Sequence, residues 1–366
     1  RQAHRVYSAF FIAKGGNVMK KISILLVVIC FFILGLAGCG GTGTAKSEKA
    51  SFHASNPYEG DLSGVTLDIG AAGIQNAQGV LQAAGLDDTP YTVHFHNLRG
   101  GNLVLEAMAA GQLDAGCGSQ IPPIFASLSN NGGNFKIVAI RKGSTLDQEL
   151  ITGPKSKASI HTVADLKGKK VAYVKSTTAQ YFLFKMLEKA GLSWNDIEAL
   201  PMSTSDSLSA VLTGDVDAYA GYGNSIIQAK NKGAVTLASA ESILSGDYYW
   251  YAAPAALADP KKKAALIDYL ERINEADEWI RQHPKEWAAF YAKETNQKTD
   301  EYQKQFEEQE AQRKGRIAPL DEKTIQSEQD IINSFIKMGL LKQPVEAAGL
   351  FDGSLTEAIS KFHVYE

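Results

Sequence analysis

Within residues 163–192 the spacing of apolar residues changes once, from the alternation of a strand to the period of a helix. The interpretation of the rest of the chain starts from this stretch. Residues 171–175 alternate and are rich in aromatic and β-branched side chains, which predicts a strand. From Ala179 the apolar residues fall on one helical face instead, and Gly191 is placed to end that helix. A helix N-terminus beside hydroxyl groups suits an anion, although plain N-capping by one hydroxyl predicts the same pattern. Three hydroxyl residues lie between the two elements: Ser176, Thr177 and Thr178.

This neighbourhood occurs twice in the chain. Residues 79–86 resemble residues 185–192, and residues 110–119 resemble residues 213–222. The matching glycines stand 106 residues apart in the first pair (85 to 191) and 103 apart in the second (111 to 214). Such similar offsets predict two α/β lobes of one design, duplicated or convergent. Open α/β sheets bind ligands at the carboxyl ends of their strands, so we expect two facing lobes to form a ligand cleft.

The loops that follow the predicted strands supply the candidate cleft residues. In the first lobe, Gln75 and Asn76 lie between a strand over residues 65–69 and a helix over residues 78–84. Ser119 and Gln120 follow a short strand over residues 113–115. Their amide and hydroxyl groups can donate hydrogen bonds to an anion.

In the second lobe, Tyr222 and Asn224 stand in a loop after a predicted strand over residues 216–219. Residues 248–251 are four consecutive aromatics that place two side chains on each strand face, so one face is core and the other, with Trp250, is expected to line the cleft. We place lobe 1 at residues 61–150 and 251–366 and lobe 2 at residues 151–250. The charged helices after Asp259 are expected to pack around lobe 1 and carry no chemistry.

The front of the chain has the pattern of a secretory signal. Met19 and two lysines precede 15 apolar residues, too few for an ordinary membrane-spanning helix. We interpret residues 1–18 as untranslated upstream sequence and residues 19–38 as the signal peptide. The segment that ends at Cys39 resembles the lipobox of bacterial lipoproteins, in which that cysteine is acylated. Residues 39–60 are rich in Gly, Ser, Thr and Lys and predict a flexible linker to a membrane anchor.

Charge and the remaining polar candidates narrow the function further. The net charge of −3 includes five basic and no acidic residues in residues 1–38, so the rest carries about −8 (−3 − 5), which argues against nucleic acid as a partner. His94 and His96 could be metal ligands, but an exposed strand face is the preferred interpretation. Cys117 is interpreted as a small residue near a turn rather than a nucleophile. Asp114 and Asp217, which repeat between the lobes, are expected to make hydrogen bonds that fix the fold.

Several weak motifs follow one another over some 300 residues: residues 105–114 with 118–126, residues 175–183, residues 214–219, and residues 327–335 with 338–340. In their order and spacing, the chain resembles the substrate-binding proteins of nitrate/sulfonate/taurine ABC importers, most nearly the aliphatic sulfonate binders.

The resemblance implies a two-lobed type II periplasmic-binding-protein fold that closes on a small organic anion, delivered to ABC permease and ATPase subunits. The lipobox-like front of the chain predicts a lipid anchor on the extracytoplasmic face, and we expect a monomer with neither catalysis nor a cofactor. The resemblance also implies ligand contacts at the loops already named. Many relatives carry Trp-Asp-Pro where this chain has Tyr222, Gly223 and Asn224, so a partner for the ammonium of taurine is missing. Nitrate, bicarbonate, taurine and a pyrimidine thiamine precursor remain alternatives, as does a pyridoxal enzyme similar to the pyrimidine-precursor synthases, for which Lys175 is the candidate.

Overall fold

The computed structural model describes residues 58, 60–72, 78–98, 100–295 and 298–364. The predicted signal peptide, Cys39, the linker up to residue 57, and Gln75 with Asn76 lie outside the described residues. The strands are β1 Thr66–Ala72, β2 Thr92–Leu98, β3 Ala115–Ser119, β4 Lys136–Lys142, β5 Gln148–Thr152, β6 Lys170–Tyr173, β7 Glu198–Pro201, β8 Ala218–Tyr222, β9 Val235–Ser239, β10 Asp247–Ala252 and β11 Arg316–Ala318. The helices are α1 Gln78–Ala84, α2 Gly101–Ala109, α3 Pro122–Ala126, α4 Thr178–Lys189, α5 Thr204–Thr213, α6 Asn224–Asn231, α7 Pro254–Ala258, α8 Pro260–Gln282, α9 Pro284–Thr295, α10 Thr299–Gln312, α11 Glu322–Lys337 and α12 Thr356–Ile359.

Two sheets of the same design form the two lobes. The first sheet has the strand order β11-β4-β10-β3-β1-β2, and the second has β7-β6-β8-β5-β9. In each, three strands are parallel (β2-β1-β3 and β7-β6-β8), and the next strand, β10 or β5, runs antiparallel to them. The antiparallel strand of the first sheet comes late in the chain, so the polypeptide crosses between the lobes twice.

Two aspartates make the same contacts in the two lobes. Asp114 Oδ2 accepts a hydrogen bond from the backbone N–H of Asp68 at 3.0 Å, and Asp217 Oδ2 accepts one from the N–H of Lys170 at 3.0 Å. The backbone N–H of each aspartate returns a bond to the same partner's carbonyl. The expectation that these acids fix the fold is confirmed, because each ties the start of an outer parallel strand (β3 or β8) to the central parallel strand of its lobe (β1 or β6).

Both crossings lie a few residues earlier than the predicted boundaries at residues 150/151 and 250/251. Gln148 already begins β5 in the second sheet, and Asp247 already begins β10 in the first. The first crossing is therefore residues 143–147, where Asp147 adopts a positive φ of 59°. Helix α10 holds this crossing, because the side-chain amides of Gln305 and Gln309 both donate to Asp147 Oδ2 at 3.1 and 2.9 Å.

Helix α11 contacts both lobes rather than lobe 1 alone. The Phe335 ring lies 5.3 Å from the Phe125 ring in lobe 1 and 5.4 Å from the Tyr181 ring in lobe 2. Phe335 and Ile332 are fully buried, while Ile336 is exposed. This helix therefore packs across the boundary between the lobes, and its contacts must change whenever the lobes open or close.

Candidate ligand-binding cleft

A cavity of about 650 Å³ lies where the parallel strands of both sheets end. Its lobe 1 wall includes Ser119 at the end of β3, and its lobe 2 wall includes Tyr222 at the end of β8. Ligand pockets of proteins commonly measure about 300–1,000 Å³. The position agrees with the general rule for open α/β sheets, in which ligands bind beyond the carboxyl strand ends.

Two helices reach this cavity without a side-chain cap. Helix α2 begins after Gly100 and α6 begins after Gly223, and neither N-cap residue makes a side-chain hydrogen bond to the first turn. Residues of both first turns line the cavity. The first N–H groups of a helix lack intrahelical partners and carry the positive end of the dipole, so two such ends from opposite lobes favour an anion.

The hydroxyl residues predicted at the start of α4 are partly used by the protein itself. Thr177 Oγ1 donates to the carbonyl of Val174 at 2.7 Å and accepts from the N–H of Ala179 at 3.2 Å. Thr178 Oγ1 donates to Gln148 Oε1 at 2.8 Å. Both threonines line the cavity. Thr177 is also the N-cap of α4, so its hydroxyl has a structural role besides any contact with a ligand.

Four further predicted residues fall into two groups. Ser119, Tyr222 and Asn224 line the cavity. Ser176 does not line it, and its N–H is taken by Gln180 Oε1 at 2.8 Å. The backbone of Ser176, with φ 57°, makes the turn that brings Thr177 and Thr178 to the cavity.

Gln120 and Trp250 are corrections to the predicted set, since both side chains lie in the core of lobe 1. Gln120 is 2% exposed, and its Oε1 accepts from the hydroxyl of Ser245 at 2.5 Å. Trp250 is fully buried, with its ring 5.7 Å from that of Tyr269 in α8. The aromatic residue of β10 that lines the cavity is Tyr248, which stands closer to the end of the sheet.

Sequence reasoning missed the polar chain that joins the two lobes across the cavity. Gln148 in β5 accepts from Thr178 through Oε1 and donates through Nε2 to the hydroxyl of Tyr248 in β10 at 3.2 Å. A second omission is the start of α5, where Thr204 and Ser205 line the cavity. The hydroxyl run at residues 203–205 repeats the pattern of residues 176–178 and was the signal that could have identified it.

The cavity presents neutral donors rather than free positive charge. Burial raises the pKa of Tyr222 to about 12, against a smaller opposing effect of the hydrogen bond with Thr177. Burial also raises the pKa of Tyr248 to about 12, with the nearby Arg141 opposing the shift. Both phenols therefore keep their protons at neutral pH and remain able to donate to an anion. Among the described lining residues, Arg141 is the only cationic side chain, and Asp277 neutralises it.

The cavity continues beneath lobe 1, in a region that we call the lobe 1 arm. Arg141 Nη2 and Asp277 Oδ1 form an ion pair of 2.6 Å there. Burial alone would lower the pKa of Arg141, but the Asp277 carboxylate outweighs that effect and raises it. The other residues that define the arm come from β3 and α8–α10: Cys117, Ile280, Trp287, Tyr291, Tyr302 and Phe306.

The remaining candidates for chemistry lack the surroundings that they need. Burial raises the pKa of Cys117 to about 12, so its thiol stays protonated. Lys175 is exposed and does not line the cavity. His96 Nε2 lies 2.9 Å from Asp68 Oδ1, yet among the described residues no group of three or more His, Cys, Asp or Glu could hold a metal ion. None of the described helices has the length and apolar character needed to span a membrane.

Comparison with known proteins gives one family and several relatives. The NMT1/THI5-like family matches residues 92–287. A putative aliphatic sulfonates-binding protein of Escherichia coli strain K12 is 31% identical over 195 residues, which cover 53% of this chain and 59% of the relative. The match thus spans about three fifths of that relative's length.

Solved structures show the same fold at lower identity. The alkanesulfonate-binding protein SsuA from Xanthomonas axonopodis pv. citri, bound to MOPS, has a TM-score of 0.70 at 23% identity and covers 78% of this chain and 98% of its own. The desulfurization enzyme DSZB, in a mutant form in complex with biphenyl-2-sulfinic acid, has a TM-score of 0.57 at 15% identity and covers 81% and 99%. The predicted fold is confirmed: the chain has the two-lobed type II periplasmic-binding-protein fold with a cleft between its lobes.

Proposed function

Because the chain belongs to the NMT1/THI5-like family, we propose that it is the extracytoplasmic solute-binding component of an ABC importer. Its ligand is an organic anion, and we propose an aliphatic sulfonate. The observation that carries the proposal is the pair of uncapped helix N-termini, α2 and α6, that border one cavity from opposite lobes. The E. coli and Xanthomonas relatives, named as binders of sulfonates, support the same ligand class.

In this mechanism, neutral groups hold the sulfonate. Backbone N–H groups of α2 and α6 approach it from the two lobes, and the Ser119, Tyr222 and Tyr248 hydroxyls donate further hydrogen bonds. Each hydrogen bond to a charged group contributes about 1.5–3 kcal/mol. Closure of the lobes excludes water and creates the surface that permease subunits recognise. Because the donors are local and uncharged, we expect ionic strength to affect the affinity little.

An enzyme on this scaffold is the rival function, since DSZB shares the fold. Cys117 is the only cysteine in the described residues, and its buried, protonated thiol is a poor nucleophile. Lys175, the candidate for a pyridoxal cofactor, is exposed and does not belong to the cavity lining. These observations support binding over catalysis.

The decisive experiment is a titration of the full chain with a panel of anions, followed by thermal unfolding and calorimetry. The panel contains alkanesulfonates, taurine, nitrate, bicarbonate and a formylaminopyrimidine. A ligand at 100 times its Kd stabilises by about 2.7 kcal/mol, which raises Tm by roughly 4 °C for about 300 ordered residues. We expect a shift with alkanesulfonates and a smaller one with taurine. A shift with only the pyrimidine would replace the sulfonate proposal with uptake of a vitamin precursor.

The Ser119→Ala variant tests the site itself. Loss of one hydrogen bond to the sulfonate is expected to raise its Kd roughly 10- to 150-fold. Ser209→Ala is the matched control, because Ser209 is exposed on α5 and lies outside the cavity lining. Equal affinity of the wild type and Ser119→Ala would contradict the placement of the anion.

We also propose that Cys39 is acylated and anchors the protein to the membrane. The support is the sequence alone, a basic region, an apolar run and a cysteine in order. We expect the protein to incorporate a radiolabelled fatty acid and to enter the detergent phase on phase separation. Cys39→Ala should abolish both, whereas Cys117→Ala should change neither. Labelling that persists in Cys39→Ala would disprove the anchor.

A further inference from the structure

The cavity is larger and more aromatic than a short alkanesulfonate requires. Its polar part, near Ser119 and Tyr222, holds the groups that suit the anionic end of a ligand. The lobe 1 arm adds three rings that pack against one another: Tyr291 and Tyr302 stack at 4.0 Å, and Trp287 lies 5.6 Å from Tyr291. Rings of this kind recognise flat apolar groups through stacking and edge contacts.

The arm also contains a polar group that ordinary core packing does not explain. Asp277 is 5% exposed and lines the cavity. Its Oδ1 is paired with Arg141, but its Oδ2 has no hydrogen-bond partner in the described part of the chain. A buried carboxylate oxygen without a partner costs free energy, so such atoms mark a place for an additional donor. Glu310, which also lines the cavity, has its partner in Arg281 at 3.1 Å.

We propose that the ligand is a ring-bearing organic sulfonate whose ring occupies the lobe 1 arm and carries an O–H or N–H group that donates to Asp277 Oδ2. This inference rests on the proposed function, because the sulfonate is held at the polar part of the same cavity. The aromatic walls select the ring, and the carboxylate oxygen selects its substituent. Simple inorganic anions, which have no tail, would leave the arm without an occupant.

Calorimetric titration of the full chain with three sulfonates tests the proposal. The probes are ethanesulfonate, naphthalene-2-sulfonate and 6-hydroxynaphthalene-2-sulfonate. We expect naphthalene-2-sulfonate to bind at least tenfold more tightly than ethanesulfonate, and the hydroxyl group to add a further gain of at least threefold. Equal affinities for ethanesulfonate and naphthalene-2-sulfonate would refute the claim that the arm binds a ring. Equal affinities for the two naphthalenesulfonates would refute the claim that a ring substituent donates a hydrogen bond to Asp277.

A variant that fills the arm separates this inference from the proposed function. Phe306 lines the arm and is only half-buried. The larger side chain in Phe306→Trp therefore reduces the volume of the arm at a position that is not fully packed. We expect this variant to lose the gain from the naphthalene ring, so that naphthalene-2-sulfonate no longer binds more tightly than ethanesulfonate. Phe184→Trp, at a half-buried site of lobe 2 outside the cavity, should bind all three as the wild type does. A ring gain that survives Phe306→Trp would place the ring elsewhere, and failure of every sulfonate to bind would refute the proposed function itself.

Discussion

Glu328→Gln is expected to make the protein more stable than the wild type at alkaline pH and equally stable near pH 4. Glu328 is fully buried in α11, and its Oε2 accepts a hydrogen bond from the hydroxyl of Tyr249 at 3.0 Å. Burial raises the pKa of this carboxyl from 4.5 to about 8, against smaller opposing effects of Tyr249 and Gln120. Glutamine keeps the shape and the acceptor but has no charge to bury.

The direction in which pH changes the stability follows from the pKa of the Glu328 carboxyl in the unfolded chain and in the folded chain. Below about pH 4.5 the carboxyl is protonated in both the folded and the unfolded chain, so it contributes nothing to the pH dependence. Between about pH 4.5 and 8 the unfolded chain releases the proton while the folded chain keeps it, so stability is lost as pH rises. The slope for one group is at most about 1.4 kcal/mol per pH unit. Above the folded pKa the loss is complete and levels off.

The measurement is the free energy of unfolding in urea from pH 4 to 9 for the wild type and the variant. The difference between the two curves isolates Glu328, because other raised carboxyls, such as Glu275 with a pKa of about 7, are common to both proteins. Glu322→Gln makes the same change at an exposed position at the start of α11 and should leave the pH dependence as it is. Parallel curves for wild type and Glu328→Gln would show that the carboxyl titrates normally in the fold.

The repeated features of the sequence predicted the fold well because each has a local physical cause. Gly191 and Gly85 both have positive φ, at 74° and 66°, which glycine adopts without strain at a helix end. Asp114 and Asp217 each bond to a neighbouring strand of their own lobe, so a short motif recurs wherever that arrangement recurs. Features that depend on a few neighbouring residues leave such a signal in the sequence.

Side-chain direction at the ends of strands could not be predicted in the same way. Ser119 and Gln120 are adjacent, yet Ser119 lines the cavity while Gln120 points into the core towards Ser245. The strand continues to Ser119, beyond the predicted end at residue 115, and this sets which neighbour faces the cavity. Tyr248 and Trp250 differ likewise only in how near they stand to the sheet end.

Contacts between distant parts of the chain left almost no signal in the sequence. The bond from Gln148 to Tyr248 joins residues 100 positions apart, and it depends on the double crossing between the lobes. The lobe 1 arm combines β4 with helices α8–α10, which were interpreted as packing only. A single arginine at the end of an apolar strand was the one visible sign of it, because an arginine there needs a buried partner.

Arg141→Met is expected to destabilise the protein by about 3–5 kcal/mol, since it leaves the Asp277 carboxylate buried without its ion-pair partner. The side chains of Arg141 and Asp277 are 18% and 5% exposed, and their contact of 2.6 Å joins β4 to α8. Asp277→Leu should cost a similar amount for the converse reason. The double variant Arg141→Met/Asp277→Leu should regain most of the loss, because removing both charges together removes the cost of burying either one.

Urea unfolding of the four proteins closes this double-mutant cycle and gives the coupling energy of the pair. Lys298→Met breaks an exposed pair with Glu301 of similar length, 2.7 Å, and should leave the stability close to that of the wild type. Additive losses in the double variant would show that the two residues act independently and that the arm is not held by their pairing. We expect the double variant to fold well but no longer to distinguish 6-hydroxynaphthalene-2-sulfonate from naphthalene-2-sulfonate. This result would separate the two roles of Asp277, because stability would be restored while the carboxylate oxygen offered to the ligand would still be missing.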